Sequence, residues 1–219
     1  MQRTMLCGVS SVGRASALHA ECRRFEPVTP YHILYPKSKR LAAMFVTDVF
    51  SDDELEKIHS DLNDELQKGG WHTWSNVVDA SGTKNTSKYP PEQGDITFKY
   101  INDDIKNLIR QKLVEIDPNI RGYDFTAFYQ IWDVGAATGT HDDYEYMFNA
   151  TFYLNKDWRP DDGGLYVYLD GEEYKVFLPK YNSCGLINKS KIEPHLVTPI
   201  TTNAREKRYT IHCKGIIQD

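Results

Sequence analysis

From Phe125 onward the chain is a succession of short period-two segments, and that rhythm restricts the fold more than any other feature of the sequence. Phe125, Ala127, Tyr129 and Ile131 alternate with Thr126, Phe128, Gln130 and Trp132, the pattern of a half-buried strand. Further strand candidates follow at 148–154, 164–169, 174–178, 183–187, 195–200 and 208–213, spaced about ten residues apart as in sandwiches and barrels. Two helical patterns precede them. Ser51-Asp52-Asp53-Glu54 is a capping-box start, Leu55, Ile58, Leu62 and Leu66 recur at helical spacing, and Gly69-Gly70 stops the helix. A second amphipathic helix begins near Asn102, carries Ile105, Leu108, Ile109, Leu113 and Ile116 on one face, and ends at Asp117-Pro118. Helices first and many short strands afterwards predict a mainly β protein with flanking helices, a barrel or sandwich.

The 219 residues suffice for one sizeable core. We assign residues 41–219 to that domain, with a short strand at Met44-Phe45-Val46. Residues 1–40 read as an N-terminal extension without fixed structure. Their Arg, Ser and Ala content fits a transit peptide, but Ser10 to Glu26 resembles the peptide encoded by a transfer-RNA gene. The second reading, in which translation starts further on, near Met44, is favoured. Segment 71–98 is polar and turn-rich, a long loop or loose hairpin of the kind that shapes binding sites. Its Trp71, His72 and Trp74 either fold over a ligand or pack on the barrel, and packing is favoured.

Composition excludes some classes of function. No apolar run approaches the roughly 18 residues of a membrane span. The net charge of −5, without a long basic stripe, disfavours nucleic acid as the main partner. Cys7, Cys22, Cys184 and Cys213 form no CxxC pair. They read as reduced thiols in a cytosol-like compartment, and with no secretory signal in view the expectation is a cytoplasmic protein.

Chemistry concentrates at three places. His141-Asp142-Asp143 follows the turn-rich Val134 to Thr140, and in extended chain residues i and i+2 share a face. An imidazole and a carboxylate can therefore reach one ion, although such a triplet alone is a weak signal. His195 stands 52 residues after Asp143. Two histidines and a carboxylate on one face of a metal leave positions open on non-haem Fe(II). By itself His195 is as readily a strand-end histidine bonded to a carbonyl. Arg208 opens the alternating Arg208 to Cys213, and its planar fork suits bidentate binding of a carboxylate. Arg205 is the rival for that role.

Taken in order, H-x-D, then Tyr153-Leu154-Asn155-Lys156-Asp157-Trp158, Gly163-Gly164, His195-Leu196-Val197-Thr198-Pro199 and Arg208-Tyr209 resemble the prolyl 4-hydroxylase-like branch of the Fe(II)/2-oxoglutarate-dependent dioxygenases. The resemblance runs from Tyr129 to Cys213 and is looser before. It implies a double-stranded β-helix, or jelly roll, with Fe(II) held by His141, Asp143 and His195, and 2-oxoglutarate and O2 as co-substrates. It further implies that Arg208 and Tyr153 bind the far carboxylate of 2-oxoglutarate, that Gly163 and Gly164 shape a turn, and that Asn155, Asp157 and Trp158 fix a loop. The implied activity is an oxidoreductase that hydroxylates a C–H bond with release of succinate and CO2, stimulated by ascorbate. The implied substrate is a prolyl residue of a peptide or protein. A free amino acid or other small metabolite is the alternative, and a non-catalytic jelly-roll binding module a further one. Trp132 and Tyr144, beside the first ligand candidates, are candidate substrate contacts. Three departures stand out: the His195–Arg208 interval is longer than the common spacing, Lys214 replaces an aromatic residue, and Tyr166 stands where a leucine commonly lines the co-substrate pocket.

Overall fold

The computed structural model describes residues 43–73, 94–141, 143, 146–170, 173–188 and 194–216. The expected extension, Trp74 and Tyr144 lie outside them. Among the described residues no helix is long and apolar enough to cross a membrane.

Helix α1 spans Asp52–Lys68 and starts as a capping box: Ser51 Oγ accepts from Glu54 N, and Glu54 returns the bond to Ser51 N. Each bond satisfies an N–H that the first helical turn leaves over. Gly69 takes up φ +65° to end it. Helix α2, Asp103–Ile116, is capped by the Asn102 side chain on Ile105 N. The inward residues of both helices are the periodic ones: Leu55, Ile58 and Leu62, then Ile105, Ile109 and Leu113. Trp71 packs on the same core and donates to Glu65 O.

The strands are β1 (Ala43–Thr47), β2 (His72–Thr73), β3 (Ile96–Tyr100), β4 (Asp124–Trp132), β5 (Thr138–His141), β6 (Phe148–Tyr153), β7 (Tyr166–Asp170), β8 (Glu173–Phe177), β9 (Ser183–Asn188), β10 (His195–Val197) and β11 (Arg208–Ile216). They form a seven-stranded sheet, β1-β9-β6-β11-β4-β3-β2, and a four-stranded sheet, β5-β10-β7-β8. Every named ladder is antiparallel. The sheets meet where Phe45 of β1 stacks on Phe177 of β8 with ring centroids 3.8 Å apart. The fold is thus mainly β with flanking helices, as the sequence predicts.

Strand parity divides the large sheet cleanly. Phe125, Ala127 and Tyr129 of β4, Phe148, Ala150 and Phe152 of β6, and Ile211 and Cys213 of β11 join the helix-side core. The alternate residues face the small sheet. The expected half-buried β4 is therefore buried on both faces from Ala127 to Trp132, because a second sheet covers the side that alternation alone leaves to water. The 71–98 segment begins and ends as a hairpin, with His72 opposite Phe98. Strand β5 has no alternating apolar pattern and was not expected; its extended form comes from pairing with β10.

Candidate metal and co-substrate site

One cavity lies between the sheets, and its wall follows from register. In the β10–β5 ladder His195 sits directly opposite His141. Their rings are 4.3 Å apart between centroids, and Asp143, two residues beyond, turns its carboxylate to both. Asp143 Oδ2 is 3.7 Å from His141 Nε2 and 3.2 Å from His195 Nε2. One ligand atom from each of the three residues lies within 4.8 Å of the others, close enough to hold one metal ion. His141 Nδ1 is 2.8 Å from Gly139 O. A carbonyl only accepts, so Nδ1 carries a proton and Nε2 is left to offer its lone pair toward Asp143. Asn149 Nδ2 donates to the same Asp143 oxygen, Oδ2, and helps fix the carboxylate.

Burial would raise the Asp143 carboxyl, but the His195 hydrogen bond and the charges of His141 and Lys214 outweigh it and hold it far below the usual range. The carboxylate is ionised at any working pH, as a metal-binding carboxylate requires.

At the other end lies Arg208, 2% exposed. Its Nη1 donates to Gly164 O at 3.0 Å. Its guanidinium lies over the rings of Trp132 at 4.8 Å and Tyr153 at 5.0 Å. The backbone on either side is held by Asn155, whose Nδ2 donates to Lys207 O and whose Oδ1 accepts from Tyr209 N. Trp158 Nε1 donates to Gly163 O, so two residues of the Tyr153–Trp158 segment fix loops while Asp157 is exposed. Gly163 and Gly164 adopt φ +77° and +63°. A Cβ on Gly164 would come within 2.9 Å of Arg208 Nη1, so the bare glycine is what lets the arginine lie there. Arg205 is exposed and does not line the cavity.

Among the described residues two buried side-chain polar atoms have no partner, Arg208 Nε and Tyr166 Oη. Both residues line this cavity. Burial raises the Tyr153 phenol to about 12 against the lowering influence of Arg208, and it raises that of Tyr166 further. Both stay protonated donors. Donors grouped around a buried cation, with no carboxylate in ion-pairing range of Arg208 among the described residues, suit a ligand that brings its own carboxylate. A 2-oxo diacid spanning from Arg208 to the triad fits that donor set.

Sequence reasoning singled out the triad, Tyr153, Arg208 and Trp132, and these line one cavity. It passed over Asn149, Thr151 and His212. Thr210, His212 and Lys214 lie opposite Tyr153, Thr151 and Asn149 across the β11–β6 ladder. His212 Nδ1 is 2.9 Å from Thr151 Oγ1. Burial, then the charge of Lys214, pushes the His212 imidazole down to about 3, so it is neutral.

Residues 126–213 match the family described as the 2OG-Fe(II) oxygenase superfamily. No curated protein matches the chain in sequence. Among solved structures, a Pseudomonas putida prolyl-4-hydroxylase superposes with a TM-score of 0.61 at 16% identity, covering 81% of this chain and 94% of that one. A Trichoplax adhaerens prolyl hydroxylase, solved with a peptide fragment of the hypoxia inducible factor oxygen degradation domain, gives 0.64 at 15%, covering 80% and 83%. A non-heme alpha ketoglutarate dependent epimerase from nogalamycin biosynthesis gives 0.57 at 10%, covering 80% and 78%. At such identities these likenesses speak to fold. The segment that matches the 2OG-Fe(II) oxygenase superfamily, residues 126–213, contains all three members of the His141, Asp143 and His195 cluster.

Proposed function

We propose that the chain is an Fe(II)- and 2-oxoglutarate-dependent hydroxylase whose substrate is a prolyl residue of a peptide or protein. The observation that carries it is one cavity holding the His141, Asp143 and His195 ligand set at one end and, at the other, the buried Arg208, which has no ion-pairing carboxylate among the described residues. In this reading His141 Nε2, His195 Nε2 and Asp143 Oδ2 hold the metal, and Arg208 and Tyr153 anchor the distal carboxylate of 2-oxoglutarate. Bound Fe(II) would supply the dioxygen chemistry, in which 2-oxoglutarate, O2 and a substrate C–H become succinate, CO2 and the hydroxylated product.

The chain's own residues have defined tasks. Gly139 O keeps the His141 proton on Nδ1, Asn149 steadies Asp143, and Arg208 sets the reach and direction of the 2-oxo acid. Arg208, 2% exposed, lies at a dry end of the cavity, while at the metal end His195 is buried and His141 and Asp143 are half-buried. Trp132 lines the cavity beside Arg208, so as a substrate contact it would meet whatever lies nearest that end. Tyr144 is proposed as a substrate contact from its place in the sequence. Ascorbate is expected to sustain turnover.

The prolyl specificity draws on the two prolyl hydroxylases of like fold, one of them solved with a peptide. The epimerase of like fold shows that one scaffold serves different outcomes, so the substrate needs its own test. Purified protein with Fe(II), 2-oxoglutarate and ascorbate in air should form succinate, and mass spectrometry of treated cell extract should find +16 Da on proline-containing peptides. Failure of the Fe(II)-loaded protein to bind 2-oxoglutarate, read from its visible charge-transfer band, would overturn the dioxygenase reading. Modification confined to free amino acids or other small metabolites would overturn the prolyl one. Binding of the co-substrate without any turnover would leave a binding module.

A further inference from the structure

Resting on the co-substrate reading above, we propose that Tyr166 is a specificity-determining residue: its hydroxyl donates a hydrogen bond to a carboxylate of the bound 2-oxo acid. Tyr166 opens β7 opposite Val197 and Phe177. Its ring stacks on His195, with centroids 5.2 Å apart and planes at 25°, and meets the edge of Phe45 at 5.8 Å. Packing on both sides fixes the direction of the side chain, which lines the cavity. There the hydroxyl is buried with no partner, one of two such atoms among the described residues.

A buried hydroxyl without a partner is costly, and a phenylalanine would fill the same space without that cost. The other orphan, Arg208 Nε, lines the same cavity and is also a donor. The Asp143 carboxylate already faces His141, His195 and Asn149. What the two unmet donors lack is a group made only of acceptor oxygens, and a carboxylate is that group. The phenol therefore adds a donor to the Arg208 and Tyr153 pair and makes the pocket more selective for an anionic 2-oxo acid.

The test uses the full chain loaded with Zn(II), which holds the ligand set without turning over, and titrates 2-oxoglutarate by calorimetry into wild type and Tyr166→Phe. Loss of one hydrogen bond to a charged group should weaken binding about tenfold to a hundredfold, with Zn(II) affinity unchanged. The metal-free Tyr166→Phe protein should unfold no earlier than wild type, because an unpartnered hydroxyl has been removed. A parallel titration with 2-oxovalerate, which lacks the distal carboxylate, locates the bond. A Phe effect that persists places it at the metal-side carboxylate, and one that disappears places it at the Arg208 end. Equal 2-oxoglutarate affinity in both proteins overturns the inference and leaves the co-substrate reading standing. So does a loss of affinity matched by an equal loss of metal-free stability, which marks a structural role. A wild-type protein that binds no 2-oxoglutarate fails at the earlier reading instead.

Discussion

Replacing Arg208 by methionine separates binding from folding. Wild-type Arg208 is a buried cation with a hydrogen bond to Gly164 O, two aromatic rings against its faces and, among the described residues, no partner for Nε. Burial lowers its basicity, opposed by Tyr153. Exchanging a buried ion for a well-packed apolar chain is often neutral or stabilising by about 1–4 kcal/mol. Leaving Gly164 O unsatisfied costs about 1–3 kcal/mol. The two nearly cancel, so the metal-loaded but ligand-free variant should unfold within about 2 kcal/mol of wild type. Ligand binding should respond quite differently. Two charge-assisted hydrogen bonds to a carboxylate are worth about 1.5–3 kcal/mol each, so their loss should raise the 2-oxoglutarate Kd by roughly 10²- to 10⁴-fold. At a concentration of about 100 times the wild-type Kd, 2-oxoglutarate stabilises wild type by about 2.7 kcal/mol. For a domain of this size that is a rise in Tm of about 5–10 °C. Differential scanning fluorimetry of the Zn(II)-loaded proteins should show this rise in wild type and in Arg205→Ala, and almost none in Arg208→Met. A rise retained in Arg208→Met and lost in Arg205→Ala would move the carboxylate clamp to the exposed arginine and refute the reasoning from burial.

The other predictions test the metal end, the turn and the half-buried His212. His141→Ala and Asp143→Ala should abolish succinate formation, and Asn149→Ala, which removes the amide from Asp143 Oδ2, should weaken metal affinity about 10- to 100-fold by equilibrium dialysis. Gly163→Ala places a Cβ 2.0 Å from Pro199 O at φ +77°, and urea unfolding should show a loss of about 3 kcal/mol or more; a near-neutral result would mean that the turn relaxes freely. His212 is held neutral down to about pH 3 in the fold, against an unfolded value of about 6.5. Between those values the unfolded chain binds the extra proton, so this stability is present above pH 6.5 and declines as pH falls, by about 2 kcal/mol at pH 5. His212→Gln should flatten that part of the stability–pH curve measured by urea titration of metal-free protein, and an unchanged slope would show that His212 does not carry it.

Local chemistry made much of the scaffold legible. The Ser51–Glu54 capping box, the Gly69 stop, the Asn102 cap and the Asp117-Pro118 boundary are short-range features, and each stands where the residues place it. The strands with apolar alternation were legible to within a few residues. Strand β5 was not, because Thr138-Gly139-Thr140-His141 has no pattern of its own and is extended only by its partner β10. The division into sheets of seven and four strands was also hidden, since pairing between distant segments leaves no periodic trace.

The site shows where parity could have been pressed further. Once Arg208 is taken as inward, period two carries Thr210, His212 and Lys214 to the same face, and Tyr153 carries Thr151 and Asn149 with it. The inner face of β4, β6 and β11 is then polar through Gln130, Asn149, Thr151, Arg208, Thr210 and His212, while the other face is aliphatic and aromatic. For a strand pressed between helices and a second sheet this is the wrong composition for a core. A polar stripe on a doubly covered face persists where its groups have partners, and here Thr210 has Gln130, His212 has Thr151 and Asn149 has Asp143. Tyr166 and Arg208 break that accounting. Departures from core composition that the protein does not itself compensate are expected at sites completed by a ligand. For Tyr166 the sequence marks only a polar departure in the pocket wall, and its missing partner emerges in the fold, whereas Arg208 announces the site from sequence as soon as its strand is oriented.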